Sequence, residues 1–226
     1  MARPSALRLL VVDDDALVRE ALASFFAGQP DVTVVGEAHD GREAVERYEV
    51  LAPDVVLMDL QMPRLSGIDA TRQICTRHPS ACIVAMTTFG TRDYVVAALR
   101  AGASGYLLKD TRGPEVMAAL AAARAGEMPL SSGVRRDLVS TLVQDAAPTE
   151  PADPGLTPRE RELTQWLAHG LTNRQIASRM HLSEGSVKQY LTRVAEKLGV
   201  GSRTQVLVRT IQLGIVDPSA LPPLGT

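Results

Sequence analysis

Cysteine is nearly absent: Cys75 and Cys82 are the only two in 226 residues, with His78 the one histidine near them, fewer than the four ligands of a structural zinc site. That excludes a disulfide scaffold and a thiolate zinc site, and it predicts reduced, structural thiols in a cytosolic protein. Aromatic residues make up only 4% of the chain, so a core has to be built from Ala, Val, Leu and Ile. No stretch approaches the ~18 uninterrupted apolar residues of a membrane helix; the longest run, 116–123, is short and alanine-rich. The apolar residues 7–12 are followed at once by Asp13, Asp14 and Asp15 without a small-residue cleavage site, so neither a secretory signal nor a membrane partner is expected. Net charge is also small, −2 in total.

The small total conceals a split. Residues 1–130 hold 13 Lys+Arg against 17 Asp+Glu, residues 131–155 hold 2 against 4, and residues 156–226 hold 9 against 5. An acidic front and a basic tail predict two modules, the second suited to a polyanion. Residues 145–155 contain three prolines and no large apolar side chain, the composition of an extended linker. Just before it, Val134, Leu138, Val139, Leu142 and Val143 fall at helical spacing and predict a helix over 132–144 leading out of the first module. The expected division is 1–126, a linker at 127–155, a second module at 156–217 and a tail at 218–226.

In the first module short apolar runs at 7–12, 32–36, 55–58, 82–86 and 105–108 alternate with helical patterns at 17–26, 42–48, 67–77, 94–101 and 114–125. Five such β–α units predict an α/β, doubly wound, five-stranded parallel sheet covered on both faces. Polar residues then stand at strand ends: Asp13 and Asp14 after the first, Asp59 after the third, Thr87 after the fourth and Lys109 after the fifth. Open parallel sheets bind ligands beyond their carboxyl ends, so these five groups are expected to share one crevice. Three carboxylates in one place repel each other, and a hard divalent cation such as Mg²⁺ relieves that. Lys109 offers a positive charge and Thr87 a hydroxyl for an anion sharing the metal. The chemistry this implies is phosphoryl transfer, with Asp59 as nucleophile. The acids at 13–15 would also serve as caps of the helix opening near Ala16, a reading that leaves Asp59 and Lys109 unexplained.

Val11-Val12-Asp13-Asp14, the run from Asp54 through Asp59 to Pro63, and Ala101-Gly-Ala-Ser-Gly-Tyr-Leu-Leu-Lys109 together resemble the receiver domain of two-component response regulators, over about 7–125. The resemblance implies a flavodoxin-like fold and phosphorylation of Asp59 by a sensor histidine kinase. It implies that Asp14, Asp59 and the backbone carbonyl of Gln61 hold Mg²⁺, with Asp13 acting through water. It further implies that Lys109 and Thr87 bind the phosphoryl group, and that Tyr106 swings inward as Thr87 moves. Asp15 replaces a histidine frequent in the family, and Asp110 replaces its proline, so no cis-proline is expected. Aspartyl phosphatases of the haloacid dehalogenase type also use a strand-end Asp with Mg²⁺, but they need a second Asp where this chain has Gln61.

From Leu156 the pattern is wholly helical, an all-α module with explicit caps. Thr157/Glu160, Thr172/Gln175 and Ser202/Gln205 each have capping-box spacing, and Gly170, Gly199 and Gly214 stand at C-terminal cap positions. The helices expected are 158–169, 173–180, 184–198 and 203–213. The short 181–183 connection makes the second and third a helix-turn-helix. Val187, Leu191, Val194 and Leu198 form one apolar stripe on the third helix. The opposite face carries Ser186, Lys188, Gln189, Thr192, Arg193 and Glu196, side chains suited to a major groove and to phosphates. Arg174 and Arg179 extend the basic surface, while Trp166 is expected to pack its own helix rather than stack on a base.

Leu156-Thr-Pro-Arg-Glu-Arg-Glu-Leu163, Gly170-Leu-Thr-Asn-Arg-Gln-Ile-Ala177, Leu182-Ser-Glu-Gly-Ser-Val-Lys188 and Lys197-Leu-Gly-Val200 resemble the LuxR/NarL-type DNA-binding domain. The resemblance implies that Lys188, Gln189 and Thr192 approach the bases of double-stranded DNA at a promoter operator and that Arg193 and Lys197 approach phosphates. It also implies a homodimer formed through the last helix, where Val206, Leu207 and Ile211 would supply an apolar face, and RNA polymerase as a further contact. The whole is expected to be a cytoplasmic, phosphorylation-controlled transcription regulator rather than an enzyme, catalysing only its own phosphoryl transfer and dephosphorylation. The competing expectation is a receiver whose C-terminal bundle binds a partner protein instead of DNA.

Overall fold

The computed structural model describes residues 6–88, 92–129 and 154–216, with Arg92 by its backbone alone. They fall into two units, within Met1–Pro129 and within Leu130–Thr226. The helix expected at 132–144 and the linker, apart from Pro154 and Gly155, lie outside the described residues.

The first unit alternates strand and helix: β1 Leu7–Val12, α1 Ala16–Ala27, β2 Val32–Ala38, α2 Gly41–Leu51, β3 Val55–Asp59, α3 Gly67–Arg77, β4 Ile83–Thr87, α4 Arg92–Ala101, β5 Gly105–Leu108 and α5 Gly113–Arg124. The sheet order is β2-β1-β3-β4-β5, all parallel. β3 and β4 are buried along their whole length, as strands covered on both faces must be. Successive side chains alternate between two cores. Leu10, Val12, Val56, Met58 and Ile83 pack against Ala44 and Val45 of α2 and Ala70 and Ile74 of α3. Leu9, Val11, Val55, Leu57, Val84 and Met86 pack against Phe26 of α1 and Val116 and Leu120 of α5. Strand order reverses between β1 and β3, which opens the crevice at their carboxyl ends. No cis peptide bond occurs among the described residues.

The described residues of the second unit form four helices, α6 Pro158–Ala168, α7 Asn173–Met180, α8 Glu184–Leu198 and α9 Arg203–Gln212. All three capping boxes form, at Thr157, Thr172 and Ser202, and Ser183 caps α8 through its side chain. His181 takes a left-handed conformation, φ 53°, and ends α7. The turn from there to Ser183 sets α7 and α8 as a helix-turn-helix. Val187, Leu191, Val194 and Leu198 are all buried, each worth about 1.5–3 kcal/mol of transfer free energy.

One expectation is overturned in this unit. Val206, Leu207 and Ile211 are not an exposed apolar face; they are 0%, 0% and 3% exposed. A core of so few residues needs its fourth helix, and α9 packs against both α6 and α8. The outward positions of α9 are Arg209 and Gln212. No helix among the described residues is long and apolar enough to cross a membrane.

Candidate functional site

Register alone brings the acids of the first unit together. Val12 pairs with Met58 across β1 and β3, so the next residues, Asp13 and Asp59, leave the sheet side by side. Thr87 pairs with Leu108 across β4 and β5, and the Lys109 amide donates to the Thr87 carbonyl at 2.8 Å. Strands spaced ~4.8 Å apart put β5 two positions from β3 and three from β1; the long lysine stem covers that span. Lys109 Nζ lies 2.6 Å from Asp13 Oδ2 and 3.0 Å from Asp59 Oδ2.

Asp13, Asp14 and Asp59 each bring a carboxylate oxygen within 4.8 Å of the others. Asp13 and Asp59 are buried, Asp14 is exposed, and Lys109 is largely enclosed. Burial raises the Asp59 pKa above the ordinary carboxylate range; the Lys109 hydrogen bond and charge pull against this, and the charge of Asp13 adds to it. Burial would lower the Lys109 pKa, but its hydrogen bonds to Asp13 and Asp59 outweigh that, and the net shift is upward. Three carboxylates against one ammonium leave two negative charges over. Asp13 Oδ2 is buried and its contact is the Lys109 ammonium at 2.6 Å. Hard oxygen donors and surplus negative charge fit a divalent cation such as Mg²⁺.

The other predicted residues stand on the neighbouring strands and loop. Thr87 is buried at the end of β4. The Gln61 amide donates to Asp59 Oδ1 at 3.3 Å, which turns the β3–α3 loop over the acid. Tyr106 is already turned inward, 6% exposed, and its buried hydroxyl has no hydrogen-bond partner; burial pushes its pKa up to about 12. Asp15, by contrast, does cap α1, accepting from the Leu17 amide at 2.9 Å. The capping account thus holds for the third acid and fails for the first two. A residue not singled out in the sequence joins the site from behind: Arg19 donates to the Asp13 carbonyl at 2.7 Å and pairs with Glu37 at 3.5 Å.

In the second unit α8 exposes Lys188, Gln189, Thr192 and Arg193. Gln189, Thr192 and Arg193 line an open surface depression. Arg193 stacks on the ring of Tyr190 at 4.4 Å, and Thr192 donates its hydroxyl to the Lys188 carbonyl at 3.1 Å. Arg174 is exposed on α7. Trp166 is half-buried against His169 at 5.6 Å, with Arg179 at 5.4 Å over its ring. Lys197 has another engagement. Its ammonium lies 2.7 Å from the buried Glu160 and donates to the Gly155 carbonyl at 3.0 Å, so it ties the end of α8 to the start of α6.

Comparison with known proteins follows the same division. Residues 9–121 match the response regulator receiver domain, and residues 154–210 match the LuxR family of bacterial regulatory proteins. The chain is 41% identical over 214 residues to the uncharacterised transcriptional regulatory protein YxjL of Bacillus subtilis, covering 93% of this chain and 98% of that one. It is 36% identical to the nitrate/nitrite response regulator NarL of Escherichia coli K12, covering 92% and 96%. Among solved structures, the response regulator ChrA of a heme-sensing two-component system is 33% identical, with a TM-score of 0.52 over 94% of this chain and 100% of that one.

Proposed function

Because the chain belongs to the response regulators that join a receiver domain to a LuxR-type DNA-binding domain, we propose that Asp59 is its phosphoacceptor and that phosphorylation controls transcription through α8. The observation that carries this is the convergence of Asp13, Asp14, Asp59 and Lys109 on one crevice. Asp59 attacks the phosphorus of a donor phosphohistidine, presented by a sensor histidine kinase. An O–P bond forms as the donor N–P bond breaks, and the imidazole leaves. Asp14, Asp59 and the Gln61 carbonyl would hold Mg²⁺, with Asp13 acting through water. The ion would neutralise charge on the transferring group. Lys109 gives up its contact with Asp59 to pair with the phosphoryl oxygens, and Thr87 supplies a hydroxyl to them. The same site hydrolyses the acyl phosphate later.

The buried hydroxyl of Tyr106 supports its part in the switch, since an unsatisfied polar group gains if its surroundings change. Phosphate biases an existing equilibrium only by its different interaction with the two states. The favoured state is a homodimer on double-stranded operator DNA, with Lys188, Gln189 and Thr192 near bases and Arg193 and Arg174 near phosphates. Lys197 is better explained by its bond to Glu160 than by a phosphate. Dimerisation uses a surface other than Val206, Leu207 and Ile211. RNA polymerase is a further partner at the promoter, and the cytoplasm is the compartment, consistent with two free thiols. The test is transfer of labelled phosphate from a small phosphodonor with Mg²⁺: the wild-type chain becomes labelled, and labelling of Asp59→Asn would overturn the assignment. Operator binding that fails to weaken with added salt would favour a protein partner for the second unit.

A further inference from the structure

Thr192 is exposed on α8 and lines the same depression as Gln189 and Arg193. Its two γ atoms do different things. The hydroxyl donates to the carbonyl of Lys188, one turn back, at 3.1 Å, the usual way a threonine satisfies its hydroxyl on a helix. That proton is therefore not offered to a base edge. The hydroxyl oxygen keeps only its acceptor capacity, and the other γ substituent of the side chain is the Cγ2 methyl. Its rotamer is held both by β-branching, which leaves few χ1 choices in a helix, and by the hydrogen bond.

Within the major groove one base edge matches a methyl group. Thymine carries a C5 methyl where cytosine has only a hydrogen, and threonine and alanine methyls recognise it by apolar contact. The neighbours of Thr192 give it the setting such a contact needs. Arg193 is stacked on Tyr190 at 4.4 Å and so is held to one side, while Val187, Leu191 and Val194 fix the helix on its core from behind. We propose that Thr192 is a specificity-determining residue that reads the C5 methyl of one thymine in each operator half-site through its Cγ2 methyl. This rests on α8 being the helix that enters the groove.

The experiment uses the full-length chain and operators selected by it from random DNA. Each thymine of a selected operator is replaced in turn by deoxyuridine, which removes only the methyl. Burying one methyl is worth about 0.8 kcal/mol, so one thymine per half-site should show a three- to fivefold loss of affinity on replacement. In Thr192→Ser, which keeps the hydroxyl and lacks the methyl, that ratio should fall to one. In Thr192→Val, which lacks the hydroxyl and keeps the methyl, the ratio should persist whatever the absolute affinity. A ratio lost in the valine variant and kept in the serine variant would overturn the proposal in favour of the hydroxyl. So would a wild-type protein indifferent to every thymine methyl. Failure to select any DNA would instead count against α8 as a groove-binding helix.

Discussion

Gly67, the first residue of α3, lies directly against the backbone of Asp59: a Cβ at position 67 would stand 1.8 Å from the Asp59 carbonyl oxygen. The Gly67 amide also donates to the Leu60 carbonyl at 3.1 Å. The two contacts press the start of α3 onto the end of β3 and fix the short loop in which Gln61 lies. Asp59, the proposed phosphoacceptor, thus rests against a residue with no polar atom in its side chain.

Gly67→Ala should destabilise the receiver unit by about 2 kcal/mol or more, since neither backbone can yield without moving the acid. Urea unfolding gives the stability. Labelling with a small phosphodonor, at a urea-free temperature where the variant is still folded, should show slower acceptance than wild type. An alanine variant with unchanged stability would mean that the loop rearranges freely.

Asp59 carries a pH signature. Its pKa is raised in the folded chain, mainly by burial, so the native state holds the proton more tightly than the unfolded one. Such a group costs stability as pH climbs from the ordinary carboxylate range towards neutrality, and costs nothing below both pKa values. Asp59→Asn should therefore be more stable than wild type at about pH 7 and gain nothing at about pH 3, where both forms are neutral. Denaturant unfolding at the two pH values checks this. An asparagine variant less stable at pH 7 would show that the Lys109 contact outweighs the burial.

Glu160 is buried, accepts from the Thr157 amide at 2.7 Å and binds Lys197 at 2.7 Å. Its pKa is lowered: burial alone would raise it, but the Lys197 hydrogen bond and the bonds from Thr157 prevail. Glu160→Ala should cost about 1–3 kcal/mol, combining a lost cap with an orphaned, partly exposed lysine. The contribution should be present above the ordinary carboxylate range and vanish as pH falls through the lowered pKa. Thermal unfolding of the full chain at several pH values reads both effects.

Lys188 and Arg174 should fail in different ways. Lys188→Ala should weaken operator binding by about 1–3 kcal/mol and relax preference at one base position. Arg174→Ala should weaken binding to all sequences alike and reduce the salt slope by about 1. Titrations at several salt concentrations on specific and scrambled DNA separate the two, and a lysine variant with an unchanged footprint would remove Lys188 from the reading set.

Much of this molecule is legible from local pattern. The strands and the capped helices announce themselves because periodicity and cap chemistry are short-range, and helix ends fall within a few residues of their expected places. The acidic crevice is legible because parallel strands all point their carboxyl ends one way, so Asp13, Asp59 and Lys109 need no further information to meet. What sequence does not carry is which distant partner a side chain finds. The resemblance implies a phosphate contact for Lys197, whose ammonium in the fold lies 2.7 Å from Glu160, 37 residues away. Val206, Leu207 and Ile211 read as a free apolar face, because nothing local says that α9 is needed in the core. Arg19 is an ordinary helical arginine until the Asp13 carbonyl is seen beneath it.

Each described helix of the second unit opens on its own hydroxyl cap, Thr157, Thr172, Ser183 or Ser202, whose side chain accepts from a backbone amide of that same helix. A segment so furnished is transplantable: joined to a different sensor-driven module, it would keep its shape and its preferred DNA while answering to another signal. The place to cut is equally specified. Lys197 holds the carbonyl of Gly155, so a graft beginning at Pro154 retains that anchor, and one beginning at Leu156 leaves the end of α8 with one tether fewer.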